Sequence, residues 1–390
     1  MFTLLIIIYV AFISLGLPDS LLGSAWPSMY QFFGVSLSSA GIISMIISAG
    51  TIISSLFSDR LIRKWNTGFV TFVSVFMTAL ALLGFSFSNH FFALCFWAIP
   101  LGLGAGSVDA GLNNFVALHY KAHHMSWLHC FWGLGASLGP IIMSYCLLQL
   151  DSWRIGYRSI SIIQFTLVAV LLFSLPLWKK IQGQANVEKR AAQSSIKLSQ
   201  VLKLPGAKAA LVSFFCYCAL ESTVGLWGST YLVTIHAIAA GTAARWISLY
   251  YIGITLGRFL SGFLAMKLSH EKMVRIGQCF IGAGILLLFL PFSGPTLMVG
   301  LFLVGLGCAP IFPSLLHETP ENFGSRYSQT IMGIQMASAY VGTTFMPPLF
   351  GFLGAKISYH LFPVFNAAIL LLMIVMVTIM YRNVKKIDMK

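Results

Sequence analysis

Charge is what this sequence has least of. Of its 390 residues, 58% are hydrophobic and only 9% are Asp, Glu, Lys or Arg. A soluble domain of that length has no interior large enough for so much apolar surface, so the composition points to lipid as the solvent. In lipid only helices and closed barrels satisfy the backbone. The apolar runs are long and continuous and lack the alternation of barrel strands, which leaves helices. Acidic residues are the rarest charge, 10 against 24 basic. The net charge of +14 would suit a nucleic acid if it were gathered on one face, but it is spread through loops in the manner that orients membrane proteins, so no nucleic-acid partner is expected.

Cysteine is present without a pattern. The seven cysteines are odd in number and sit in apolar segments, and Cys216 and Cys218 face different ways on one helix. A disulfide framework and a zinc site are both excluded on that ground. No basic leader precedes the first apolar stretch, so it reads as a retained helix. No nucleophile–base spacing or metal motif appears, and no enzyme activity, cofactor or bound metal is expected. The His119, His123, His124 group with Lys121 lacks carboxylate or thiol ligands and reads as charge in a surface loop.

What is abundant is apolar sequence of membrane-spanning length. Runs of about twenty residues or more fall near 3–30, 37–58, 67–88, 91–118, 126–150 and 155–178, then near 208–235, 243–266, 273–292, 295–317, 328–354 and 358–381. The expected fold is all-α, with twelve transmembrane helices in two six-helix bundles, residues 1–180 and 208–390, joined by a polar linker at 181–207. On the linker side the loops hold 19 of the 24 basic residues. That bias predicts a multi-pass protein of the plasma or inner membrane with both termini and the linker cytoplasmic.

The two bundles look like copies. Asp19-Ser20-Leu21-Leu22-Gly23 in span 1 aligns with Glu221-Ser222-Thr223-Val224-Gly225 in span 7, at an offset of 202. Gly102-Leu103-Gly104 in span 4 aligns with Gly305-Leu306-Gly307 in span 10, and Gly135 and Pro140 in span 5 align with Gly342 and Pro347 in span 11. Parallel duplicated halves form a transporter architecture with its site at mid-depth between them.

Three acids lie inside spans: Asp19, Asp109 and Glu221. Each costs roughly 2.5–3.5 kcal/mol to place there, so each needs a function or a partner. Pro18 loosens the helix beside Asp19. Asn113 lies one turn from Asp109, and Tyr217 one turn from Glu221, with Trp227 and Tyr231 further along. Carboxylates beside aromatic rings suit a sugar, whose hydroxyls bond to the acid while its C–H face packs on the ring. Asn114, His129, Trp132, Gln335 and Tyr340 are further polar or aromatic residues at mid-depth and are expected in the same cavity. Arg258 sits in span 8 and is expected to serve as a gate or structural residue rather than to bind substrate.

The run Asp59-Arg60-Leu61-Ile62-Arg63-Lys64, between spans 2 and 3, resembles the cytoplasmic signature of the major facilitator superfamily, without its two glycines. Aspartate and bases remain, so a charge lock at a helix end is expected of Asp59, Arg60, Arg63 and Lys64. A narrower resemblance is to the fucose:proton symporter branch and its sodium–glucose relatives. It rests on Gly16–Pro27 in span 1, Asp109-Ala110-Gly111-Leu112-Asn113 in span 4, Phe131–Gly139 in span 5, and Gly305–Pro313 in span 10. Asn114 stands where the branch has proline. That resemblance implies a proton-carrying role for Asp109 and a sugar-binding and coupling role for Asp19.

The expected function is cation-coupled symport, with H+ or Na+, of a monosaccharide or similar small polar solute by a monomer. Cation coupling would fall to Asp109, Asp19 and Asn113. The substrate would meet Asp19, Glu221, Asn113, Asn114, His129, Trp132, Tyr217, Trp227, Gln335 and Tyr340. The alternative is a proton-driven drug or metabolite antiporter. Gly135-Ala136-Ser137-Leu138-Gly139-Pro140 resembles the span 5 signature of such exporters, but the two glycines that should follow are absent.

Overall fold

The computed structural model describes residues 2–120, 122–182, 202–290 and 294–388. Eleven helices among them are long and apolar enough to cross a membrane. The twelfth crossing, Ser325–Lys356, is 32 residues long and carries Gln335, Ser338, Tyr340, Thr343 and Thr344 along its length. At 1.5 Å per residue it reaches about 48 Å, ample for a bilayer. The fold is all-α, with twelve spans in two six-helix halves. The first half comprises span 1 (Phe2–Asp19 continued by Leu21–Phe33), span 2 (Ala40–Trp65), span 3 (Thr67–Phe87), span 4 (Phe91–His119), span 5 (Ala122–Gln149) and span 6 (Trp153–Gln182). The second comprises span 7 (Ala207–His236), span 8 (Ala240–Leu264), span 9 (His270–Phe289), span 10 (Pro295–Cys308 continued by Ile311–His317), span 11 (Ser325–Lys356) and span 12 (Phe362–Asp388). Most of the expected linker lies outside the described residues.

The duplication read from the glycines is a packing fact. A side chain at Gly102 would collide with the span 2 backbone at Ile47, and one at Gly305 with the span 8 backbone at Tyr250. Gly104 faces Ser74 of span 3 as Gly307 faces Gly277 of span 9. Gly135 touches the Ile13 carbonyl of span 1, and Gly342 the Phe215 carbonyl of span 7. Each glycine in one half lets two backbones meet where its counterpart does so in the other, the small-residue packing that membrane helices favour.

The halves differ where span 1 breaks. Pro18 has no N–H for the carbonyl four residues back, Ser14. Gln164 of span 6 donates to that carbonyl at 2.8 Å instead, and the helix is interrupted at Ser20. Span 7 has Leu220 in place of a proline and runs through Glu221 without a break. Span 10 is broken at Ala309–Pro310, ahead of Pro313.

The charged signature expected in a loop is helical. Span 2 runs to Trp65, so Arg60, Arg63 and Lys64 ride its last turns, and Asn66 at φ 65 makes the corner into span 3. Arg60 lies over Phe57 and Lys64 over Trp65, at 5.5 and 5.0 Å from the ring centres. The side chain of Asp59 lies outside the described residues. His119 closes span 4 and His124 is already in span 5, where its Nδ1 meets the Tyr9 hydroxyl at 2.7 Å. These histidines therefore belong to helix ends rather than to the loop expected from the sequence.

Candidate functional site

The two halves meet most tightly on the face away from the linker. There Gly23 of span 1 abuts Gly225 of span 7, Gly41 abuts Pro348, and Gly241 abuts Leu148. At mid-depth Gly133 of span 5 rests on Thr255 of span 8. Asp19 nevertheless stays exposed, so the space between the halves is reached from the linker face.

Four side chains from four helices form a polar arc across that space. The Trp132 indole N–H of span 5 donates to Asp19 Oδ2 of span 1 at 2.7 Å. The Arg258 guanidinium of span 8 lies over the same indole, 4.8 Å from the ring centre. Its Nη2 stands 3.6 Å from Glu221 Oε1 of span 7. The arc therefore runs acid, aromatic, cation, acid, with its first two members in one half and its last two in the other. A guanidinium over an indole face is favourable, and more so where water is scarce.

Asp109 belongs to this site by electrostatics. It and Glu221 both lie close enough to Asp19 to act on its charge. Its carboxylate accepts the Asn113 amide at 2.8 Å, and the same amide donates to the Asp109 carbonyl at 2.9 Å, as the one-turn spacing predicts. The Asn113 Oδ1 is buried with no partner, an acceptor waiting for a donor. Asn114 is half-buried beside it. Tyr340 reaches from span 11 to Ser55 of span 2, within electrostatic reach of Asp109. His129, one turn from Trp132, is half-buried, edge-on to Phe12 at 6.0 Å, and feels Arg258. Tyr217 is buried beside Glu221 and Arg258, its hydroxyl within reach of the guanidinium.

Two of the expected substrate residues are placed elsewhere. Trp227 is fully buried in the second half, donating to the Pro347 carbonyl at 2.7 Å and packing on Phe350 and Tyr359. It lies six residues after Glu221, about 240° around the helix, and so faces away from the arc. Gln335 is 1% exposed, and its Oε1 accepts from the Thr319 hydroxyl at 3.1 Å, which ties span 11 to the short helix Thr319–Phe323.

Arg258, expected to gate or to brace, lies in the arc as its cation, between Trp132 and Glu221. Tyr251 of span 8, not singled out in the sequence, sets its hydroxyl against Gly225 of span 7, in reach of Asp19 and Glu221. Its signal was weak, since a tyrosine in an apolar helix has many roles. Cys130 lies close enough to Arg258 to feel its charge.

Two acids, a hydrogen-bonding indole and a loosely paired guanidinium between two halves can bind a small polar solute and change state on protonation. The family model for the Major Facilitator Superfamily matches residues 8–244 and 209–388. The glucose/mannose transporter GlcP of Bacillus subtilis is 24% identical over 350 residues, covering 88% of this chain and 86% of that one. A putative glucose/galactose transporter of Helicobacter pylori is 23% identical over 342 residues, covering 83% and 82%. The 4-hydroxybenzoate transporter PcaK of Pseudomonas aeruginosa is 25% identical over 282 residues, covering 70% and 61%. Among solved structures, the nucleoside transporter NupG superposes with a TM-score of 0.76 at 13% identity, covering 95% of this chain and 98% of that one. A bacterial homologue of the lysosomal transporter Spinster does so at 0.75 and 10%, covering 98% and 96%. With the matched segments spanning almost the whole length, this chain belongs to the Major Facilitator Superfamily and is a multi-pass membrane transporter of small solutes, not an enzyme.

Proposed function

We propose that the chain imports a monosaccharide or similar small polar solute together with H+ or Na+, in the manner of the fucose:proton symporter branch. The observation that carries this is the arc Asp19–Trp132–Arg258–Glu221, which joins the halves through polar side chains at mid-depth with Asp109 in electrostatic reach. Sugar hydroxyls both donate and accept, and the arc offers both partners beside an aromatic face. The similarity to a glucose/mannose transporter of Bacillus and a putative glucose/galactose transporter of Helicobacter supports a hexose.

Asp109 is the coupling acid and Asp19 the acid shared by cation and substrate. With both ionised, the empty carrier holds charge between its halves, and closing them over it is costly. A cation on Asp109 removes one of the two charges, and the substrate bridges Asp19 to the second half and satisfies the other, so the loaded form closes and reorients. Asn113, whose amide donates to the Asp109 carboxylate, steadies the coupling acid. Asp59, Arg60, Arg63 and Lys64 secure the linker face at the end of span 2. The basic bias of that face supports a cytoplasmic position for it, in a carrier that works as a monomer in the plasma or inner membrane.

Uptake of glucose, mannose and galactose into proteoliposomes under an inward pH or sodium gradient tests this reading. Gradient-driven accumulation of one of them is the expected result. No sugar uptake under either gradient, or gradient-driven extrusion of an apolar drug, would overturn it in favour of the exporter reading.

A further inference from the structure

The Glu221–Arg258 pair lacks the features of a fixed brace. Its atoms stand 3.6 Å apart, beyond hydrogen-bond length, and the side chains keep 20% and 18% of their surface exposed. Beside it the buried Tyr217 hydroxyl lies within hydrogen-bonding reach of the guanidinium. The guanidinium meanwhile rests over the Trp132 face, and its fork is suited to a ligand that offers two oxygens. The corresponding acid of the first half, Asp19, has a neutral indole N–H as its hydrogen-bond donor and no cation on it among the described residues. The asymmetry concentrates both signs of charge in one corner of the chamber.

We infer that Arg258 and Glu221 together form a charge filter, which opens to take a neighbouring pair of hydroxyls from an uncharged ring and rejects the anionic or cationic analogue of that ring. The filter rests on the sugar reading given above and adds to it which charge the substrate carries. On insertion the guanidinium donates to one hydroxyl oxygen, and the second hydroxyl donates to the Glu221 carboxylate. A ring bearing a carboxylate would capture Arg258 and leave Glu221 an unpaired anion beside a second one. A ring bearing an ammonium would capture Glu221 and strand Arg258. A charge left unpaired in a partly dry site is penalised, so selection arises from repulsion as much as from contact.

The test uses the purified full-length carrier and ligand-induced thermal shift. The probes are glucose, mannose and galactose, the matching uronic acids, and glucosamine. Wild type is expected to be stabilised by a neutral hexose and not by its uronic acid. Glu221→Gln frees Arg258 and is expected to shift the ratio of apparent affinities toward the uronic acid by about tenfold or more, both side chains being partly solvated. Arg258→Gln is expected to shift it toward glucosamine by a similar factor, and it serves as an independent arm if the first variant does not fold. The Glu221→Gln/Arg258→Gln double variant should return to the neutral hexose. A pair that only braced the helices would weaken all ligands in proportion and leave these ratios unmoved; that outcome, or preferential binding of the uronic acid by wild type, overturns the filter. Hexose binding by wild type with unmoved ratios overturns the filter alone. No binding of any probe by wild type removes the sugar reading and the filter with it.

Discussion

Trp132 does two jobs, and one substitution separates them. Trp132→Phe keeps a ring under Arg258 and deletes the N–H that holds Asp19 at 2.7 Å. A hydrogen bond to an ionised group contributes about 1.5–3 kcal/mol. Asp19 is exposed, so water takes back part of that, and the low end applies. A loss of about 1.5 kcal/mol is roughly tenfold in affinity for the hexose that wild type binds best. Trp132→Ala also removes the cation–π contact, worth about 0.5–1 kcal/mol at a partly exposed site. Its total of about 2–2.5 kcal/mol corresponds to roughly 30- to 70-fold. The assay is ligand-induced thermal shift, with Asp19→Asn added to close a double-mutant cycle. If the indole acts through Asp19, Trp132→Phe costs little once Asp19 is already Asn. Strict additivity of the two, or wild-type affinity in both Trp132 variants, would refute the reasoning.

Other outcomes follow from the same geometry. Asp19→Asn should weaken hexose binding by about tenfold while the protein is expressed and remains monodisperse, because the carboxylate is exposed and braces nothing but Trp132. Gly135→Ala and Gly342→Ala should each lower thermal stability by about 1–3 kcal/mol through backbone collision, whereas Gly333→Ala, with open space around it, should not destabilise. Glu318, just past span 10, is 8% exposed and accepts the Tyr381 hydroxyl. Burial, against that hydrogen bond, pushes its carboxyl from 4.5 up to about 7. Above 4.5 the unfolded chain gives up a proton that the folded chain retains, so thermal stability should fall as pH rises toward about 7, then level off. The fall should be on the order of 2 kcal/mol, and Glu318→Gln should abolish it.

The sequence made legible what physics makes expensive. A carboxylate at bilayer depth stands out because it costs free energy, and Asp19, Asp109 and Glu221 do share one space. Backbone contact between helices demands glycine, so the paired glycines mark the duplication in the sequence itself. The contacts at one-turn spacing also held: Asn113 is on Asp109, and Tyr217 is beside Glu221. What could not be read was contact between helices distant in sequence. Arg258 and Trp132 come together because span 8 packs on span 5 at Gly133, and nothing local to either residue reveals that. Trp227 looked like a cavity aromatic because it follows Glu221 closely, but six residues turn it toward Pro347. Gln335 was drawn off by Thr319, a partner in a short helix that no apolar run marks. Span 2 outran its apolar run by about two turns, because its charged residues continue the helix past the lipid.

The central claim is that neutralising Asp109 lets the carrier change the face to which it opens. Proteoliposomes containing Asp109→Asn, compared with wild type for gradient-driven accumulation and for counterflow exchange of the same hexose, test it most directly. The variant should exchange hexose by counterflow, its chamber being permanently neutral at that position, and should fail to accumulate it under a pH or sodium gradient. Accumulation at the wild-type level would contradict the account.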